Sequence, residues 1–126
     1  MKSKLEILEE TIEYYTTQQN SRSLNKQGEC VYNNEDGSHC AVGRCFTEKY
    51  KAQGSDFEFN EYKGVEDLNK KEGKLDSFLS EEYKGHEVKF WNELQQLHDS
   101  EYNWKEDFIL SEKGNAFARK LIEKYS

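Results

Sequence analysis

The chain has 126 residues, a formal net charge of -7 at pH 7, and equal shares of hydrophobic and charged residues at 34% each. The length predicts a single domain over residues 1-126. The acidic balance argues against non-specific nucleic-acid binding, which depends on clustered lysine and arginine. No stretch approaches the roughly 20 apolar residues that a membrane-spanning helix requires, so we expect no membrane partner.

The first residues and the number of cysteines both bear on the compartment. Met1–Glu6 lacks the apolar segment of a secretory signal peptide. The chain has three cysteines, and an odd number fits a reducing compartment better than a disulfide-stabilised secreted protein. We therefore expect a cytoplasmic protein.

The N-terminal segment has the pattern of a capped amphipathic helix. Ser3 can accept the backbone N–H of Glu6 while the Glu6 side chain returns a hydrogen bond, which is a capping box. Apolar side chains then recur at three- and four-residue spacing, at Leu5, Leu8, Ile12 and Tyr15. This spacing predicts a helix with one buried face.

A β-hairpin is predicted next, around the turn Asn34–Gly37. Asp and Gly suit the last two positions of a type I turn followed by a left-handed glycine, which closes a three-residue hairpin loop. In the register that this turn sets, Tyr32 faces Cys40 and Cys30 faces Val42. Side chains alternate along a strand, so these four would share one face.

The C-terminal third predicts two or three helices. One apolar stripe runs along Val88, Trp91, Leu94 and Leu97, and a second runs along Phe117, Leu121 and Tyr125 in a final helix that Ser111 can cap. Residues 51-77, rich in Gly, Lys, Glu and Asn, are expected to be a flexible insert. The fold prediction is therefore α+β: an N-terminal helix, a β-hairpin, then two or three C-terminal helices packed on it.

The cysteines allow three interpretations, of which two are structural. Cys30 and Cys40 can be small buried side chains under the hairpin, a common role for cysteine. Alternatively, Cys30, Cys40 and Cys45 can join His39 or His98 in a structural zinc module, although the chain has no CxxC pair. The first interpretation is favoured, so we expect no metal and no cofactor.

The third interpretation is catalytic and includes His98 and Asp99. Cys40 would be the nucleophile of a small cysteine-dependent hydrolase or transferase, with His98 as base and Asp99 as the acid that orients it. The competing interpretation is structural, because a histidine at a helix C-terminus interacts favourably with the helix dipole. We lean towards a protein that is not an enzyme.

Two motifs together resemble a family of small uncharacterised bacteriophage and prophage proteins. The first motif is Cys30-x-Tyr32, then Asp36-Gly37, then Cys40–Gly43 (Cys-Ala-Val-Gly), and the second is Leu94–Asp99 (Leu-Gln-x-x-His-Asp). The family has no established activity. The resemblance therefore implies a context, an accessory protein that acts in an infected bacterial cell.

Together these patterns predict a protein that acts by binding. The partner would be a host protein, such as a defence component, or a small signalling ligand. The ligand-binding residues would be Tyr32, His39, Gln95 and Trp104, provided that the hairpin meets the His98 segment in space. The oligomeric state does not follow from the sequence.

Overall fold

The computed structural model describes residues 1-17, 23-24, 30-60, 65-70, 75-106 and 108-126. Within them the α-helices are α1 (Lys4–Thr16), α2 (Glu48–Lys51), α3 (Val65–Asn69), α4 (Val88–Asp99) and α5 (Glu112–Tyr125), and the strands are β1 (Trp104–Glu106) and β2 (Ile109–Leu110). The strands form an antiparallel hairpin between α4 and α5. The predicted α+β class is confirmed. No helix in the described ranges is long and apolar enough to cross a membrane.

Helix α1 begins at the predicted capping box. The Ser3 hydroxyl accepts from the Glu6 backbone N–H at 3.1 Å, and the Ser3 backbone N–H donates to the Glu6 carboxylate at 3.0 Å. The buried face of the helix consists of Ile7, Leu8, Thr11 and Tyr15. This face packs α1 against α4 and α5.

The turn at Asn34–Gly37 has the predicted register. The Asn34 N–H donates to the Ser38 carbonyl at 2.9 Å, and Gly37 has a φ of 87°, in the left-handed region that favours glycine. Asn33 and His39 form an antiparallel bridge beyond this turn. The pairing is therefore a single bridge next to the turn.

Beyond Cys40 the chain leaves the ladder and enters a 3-10 turn at Gly43–Cys45. The predicted pairing of Cys30 with Val42 is wrong, because Cys30 bridges Leu24 instead. Gly43 lies so close to Tyr32 that an added Cβ would be 2.2 Å from the Tyr32 carbonyl oxygen. Glycine at this position lets the turn fold back onto the strand.

The core is rich in aromatic side chains. Six rings contact one another through edge, tilted and stacked arrangements: Tyr32, Phe46, Tyr50, Phe57, Phe59 and Phe78. The described parts of segment 51-77 contribute to this core, because Phe57, Phe59, Val65, Leu68 and Leu75 are buried. The remaining residues of that segment, 61-64 and 71-74, lie outside the described ranges.

Candidate functional site

The C-terminal end of α4 is held by two side chains from the segment that follows it. The Asn103 amide donates to the Gln96 carbonyl at 3.0 Å, and the Trp104 indole N–H donates to the carbonyls of Leu97 and His98 at 3.1 Å each. These bonds satisfy carbonyl groups that the helix itself leaves without partners. The end of α4, which carries His98 and Asp99, is therefore held in place by these hydrogen bonds.

Helix α4 meets the 40-46 turn through Gln95. The Val42 backbone N–H donates to the Gln95 side-chain oxygen at 3.1 Å, and the Gln95 amide nitrogen lies 3.5 Å from Asp99 Oδ2. On its other oxygen, Asp99 contacts His98 Nδ1 at 2.6 Å. The two sequence motifs therefore meet, and the second motif contributes the polar side chains that join them.

Cys30 completes this group. One ligand-type atom each from Cys30, His98 and Asp99 lies within 4.8 Å of the other two. His98 is buried and its ring packs edge-on against Tyr15 at 4.6 Å, whereas Cys30 and Asp99 are half-buried. We call Cys30, Gln95, His98 and Asp99 the Asp99 cluster.

A cleft of about 510 Å³ opens beside Asp99, between the end of α4 and the start of α5. Seven of the nine residues that line it are of polar type, and the lining consists of Val65, Asn92, Gln95, Gln96, Asp99, Ser100, Asn103, Lys113 and Phe117. The volume falls in the range of small-molecule sites. Lys113 also lies over the exposed ring of Tyr102, at 5.4 Å from its centroid.

Sequence reasoning missed most of this lining, although a signal was present. Asn92 and Gln96 on α4 recur every four residues with Ser100, the C-cap of that helix, and Lys113 and Phe117 are four residues apart on α5. Residues at this spacing share one helix face. A polar face opposite an apolar stripe is ordinary on surface helices, so the pattern alone does not indicate a cleft.

The structure separates the three cysteines. Cys40 is 1% exposed, and its sulfur accepts the Gly43 N–H at 3.3 Å. Burial raises the pKa of the Cys40 thiol far above its ordinary value, with a further contribution from the Asp99 charge. Burial likewise raises the pKa of Cys45 to about 12. Because a nucleophile needs an accessible thiolate, the geometry favours Cys30 over Cys40 for any reaction that uses His98.

The other predicted ligand-binding residues divide between the cleft and the core. Gln95 lines the cleft, but Tyr32, His39 and Trp104 are not among the residues lining it. Tyr32 is buried in the aromatic core, and its hydroxyl has no hydrogen-bond partner among the described residues. The His39 ring bonds the Asn33 side chain at 2.8 Å, and burial lowers its pKa.

A second polar cluster contacts the same turn. Arg44 is 7% exposed, and its guanidinium donates to Glu10 at 2.5 Å and to the Thr11 hydroxyl at 2.8 Å. Glu10 also contacts Lys2 and accepts from the Tyr83 hydroxyl at 2.5 Å. We call these five residues the Arg44 cluster. Sequence analysis missed it, since Arg44 in a short turn carries no signal of burial.

The bonds to Glu10 determine its protonation. Burial acts to raise the pKa of the Glu10 carboxyl, but hydrogen bonds from Lys2, Tyr83 and Arg44 outweigh it and lower that pKa to about 2. The pKa of Arg44 is raised, because its charged neighbours outweigh burial. Both groups therefore remain charged at neutral pH.

Comparison with known proteins adds no further constraint on the site. No protein-family model, curated protein or solved structure matches this chain. The Asp99 cluster and the cleft beside it are therefore the features that indicate a function.

Proposed function

We propose that this protein acts by binding a small polar molecule in the cleft between α4 and α5. The observation that carries the proposal is the cleft itself, about 510 Å³ in volume and lined by both polar and apolar side chains. Small-molecule sites combine apolar walls with a few convergent polar groups that fix orientation. The predicted alternative, binding of a host protein, has no comparable feature in its support among the residues that the structure describes.

The lining indicates which ligand chemistry fits. The amides of Asn92 and Gln96 bond no other side chain in the described part of the chain, so they can donate to and accept from a ligand. Asp99 offers a carboxylate and Lys113 an ammonium group at separate points of the lining. Phe117 and Val65 supply apolar contact. This combination fits a molecule with a planar or apolar part and an anionic part.

The context comes from the resemblance to small bacteriophage proteins. An accessory protein without its own reaction can act by sequestering a signalling molecule of the infected cell. Sequestration requires only affinity and abundance, and the cleft supplies a place for the ligand. Nucleotides are the ligand class with both a planar ring and an anionic group, so they head the set of probes.

Native mass spectrometry is the first test. Protein purified from bacterial cells is measured under gentle and denaturing conditions, and a small-molecule mass that is lost on denaturation supports the proposal. Nucleosides, nucleotides, amino acids and sugars are then screened for thermal stabilisation of the protein. A co-purifying protein in place of a small molecule, or a bare mass with no stabilising probe, would contradict the proposal.

Two variants connect any ligand to this cleft. Gln96→Ala and Lys113→Ala remove exposed side chains from the lining of the cleft. Each should lower the affinity for the stabilising probe by about tenfold, as expected for a hydrogen bond to a charged group. Gln53→Ala and Lys120→Ala are matched controls, since both residues are exposed and are not among those that line the cleft. Equal losses in lining and control variants would place the ligand elsewhere.

A second candidate is a thiol-dependent enzyme, and one observation favours it. Cys30 lies beside His98 and Asp99, the arrangement that activates a thiol when a base is oriented by an acid. The role predicted for Cys40 would then belong to Cys30. Fast alkylation of Cys30 by iodoacetamide near neutral pH would support this activity, and labelling at the rate of an ordinary exposed thiol would count against it.

A further inference from the structure

We propose that Cys30, His98 and Asp99 form a binding site for a single divalent transition-metal ion of the Zn²⁺ type. The three side chains offer one sulfur, one nitrogen and one oxygen atom, and these atoms lie within 4.8 Å of one another. Such a mixed donor set is used in zinc sites. The ligands differ from the module that the sequence suggested, because Cys40 and Cys45 are not in the group.

The spacing is close to what a tetrahedral ion requires. Bond lengths of about 2.0-2.3 Å place neighbouring ligand atoms about 3.3-3.6 Å apart. At the widest separation of 4.8 Å the ligand atoms would close by roughly 1.2-1.5 Å, and the 2.6 Å contact between His98 Nδ1 and Asp99 would open by roughly 0.7-1.0 Å. Cys30 and Asp99 are half-buried and can make this adjustment by side-chain rotation, while His98 stays between α4 and the Tyr15 ring.

The electrostatics of this place also favour a cation. His98 and Asp99 are the last two residues of α4, where the helix dipole is negative. The Cys30 sulfur lies 4.0 Å from the Asp99 backbone carbonyl. The Asp99 carboxylate lies at the same end of the helix and adds negative charge there.

The donor atoms indicate the class of ion and the kind of site. Thiolate and imidazole ligands favour Zn²⁺ or Co²⁺ over Mg²⁺ and Ca²⁺, which prefer oxygen. Three protein ligands leave a fourth position for water or another ligand, and one of the three, Asp99, also lines the cleft. Metal binding requires only these three residues and is independent of the function proposed above.

The test uses the full chain after treatment with a chelator, with Zn²⁺ and Co²⁺ as probes. We expect one Zn²⁺ per chain in competition with a chromophoric chelator, and a thiolate-to-cobalt charge-transfer band with Co²⁺. Cys30→Ser and Asp99→Asn should each weaken Zn²⁺ binding by about tenfold or more, and Cys30→Ser should abolish the band. These positions are half-buried, so both variants are expected to fold.

Cys45→Ala is the matched control. The charged groups that shift the Cys45 pKa are those of Arg44, Glu10, Lys51 and Lys2, which are outside the Asp99 cluster. This variant should keep both the band and the Zn²⁺ affinity. The wild type gives a measurement that does not depend on any variant, because bound Zn²⁺ should slow alkylation of Cys30. Absence of Zn²⁺ binding, a band that survives Cys30→Ser, or unchanged alkylation would overturn the proposal.

Discussion

The Arg44 and Asp99 clusters contact the same turn of the chain, at residues 40-46, and differ in how their charges are compensated. Arg44 is buried among a carboxylate, a hydroxyl and two aromatic rings, those of Tyr14 and Tyr83. The Asp99 cluster contains a carboxylate, an imidazole, an amide and a thiol but neither lysine nor arginine. The Asp99 cluster also borders a cleft, whereas the Arg44 cluster attaches α1 to the turn.

This difference separates a structural role from a candidate functional one. Removing one partner of a buried ion pair leaves the other charge uncompensated, which strongly destabilises the fold. A carboxylate at a helix C-terminus lies in an unfavourable field, and that field is relieved when a cation binds. The Arg44 cluster should therefore respond to mutation through stability, and the Asp99 cluster chiefly through binding.

The largest effect on stability is expected at Gly43, where the 40-46 turn contacts Tyr32, since both clusters depend on that turn. Gly43→Ala places a Cβ 2.2 Å from the Tyr32 carbonyl oxygen, so we expect a loss of about 3 kcal/mol in the free energy of unfolding. Urea denaturation measures it. Gly54→Ala is the control: its φ is 56° and nothing lies within 4 Å of its Cβ position, so only about 1 kcal/mol of backbone strain is expected. Equal losses of stability in the two variants would show that the structure adjusts easily to the close contact with Tyr32.

The next effect is expected in the Arg44 cluster. Arg44→Met should lower the free energy of unfolding by about 2 kcal/mol, because it leaves Glu10 without its buried partner while Lys2 and Tyr83 remain. Urea denaturation measures the loss, and Zn²⁺ and ligand binding by the folded variant should not change. Lys2→Met should lose about 0.5 kcal/mol at most, as at a solvated ion pair. A change in binding by Arg44→Met would mean that the two clusters are coupled.

A smaller loss of stability is expected at Gln95, the member of the Asp99 cluster that bonds the 40-46 turn. Gln95→Ala removes the acceptor of the buried Val42 N–H, which should cost about 1.5 kcal/mol. Gln96→Ala, one residue along the helix, removes an exposed amide and should stay within about 0.5 kcal/mol. Thermal or urea unfolding of the pair measures the contrast. Equal stabilities would imply that the bond to Val42 contributes little.

The last prediction is a dependence of stability on pH that arises at Glu10 of the Arg44 cluster. The pKa of Glu10 is about 2 in the folded protein and about 4.5 ordinarily, so its contribution is complete above pH 4.5 and is lost as the pH falls towards 2. Unfolding measured between pH 2.5 and 6 should therefore show a steeper acid loss for the wild type than for Glu10→Gln. Parallel profiles would assign the acid sensitivity to other carboxyl groups.

Local features of the fold could be predicted from the sequence because their causes lie within a few residues. The Ser3 capping box is confirmed, and Ser111 caps α5 by accepting the Gly114 N–H at 3.0 Å. The register next to Gly37 is confirmed because the turn determines it. The strand pairing beyond that turn could not be predicted. The expected pairing of Cys30 with Val42 requires an extended chain, but the chain there enters the 3-10 turn at Gly43–Cys45.

The candidate site was predicted only in part. The sequence predicts His98 and Asp99 as a pair and Gln95 as a ligand-binding residue, and these three lie on one helix within five positions. The choice of cysteine was a different problem. Cys40 and Cys30 both lie far from His98 in the chain. Only the path of the folded chain between the cysteines and His98 determines which thiol contacts His98.

By itself the sequence determined the α+β class, the caps of α1 and α5, and the turn at Asn34–Gly37. These features arise from hydrogen bonds and φ preferences between residues that are close in the chain. Only the tertiary structure decided that Cys40 is buried while Cys30 lies beside His98, that Arg44 is enclosed by Glu10 and Tyr83, and that one polar face of α4 borders a cleft. Such contacts join residues as far apart as Glu10 and Tyr83, 73 positions in sequence, and depend on how the whole core packs.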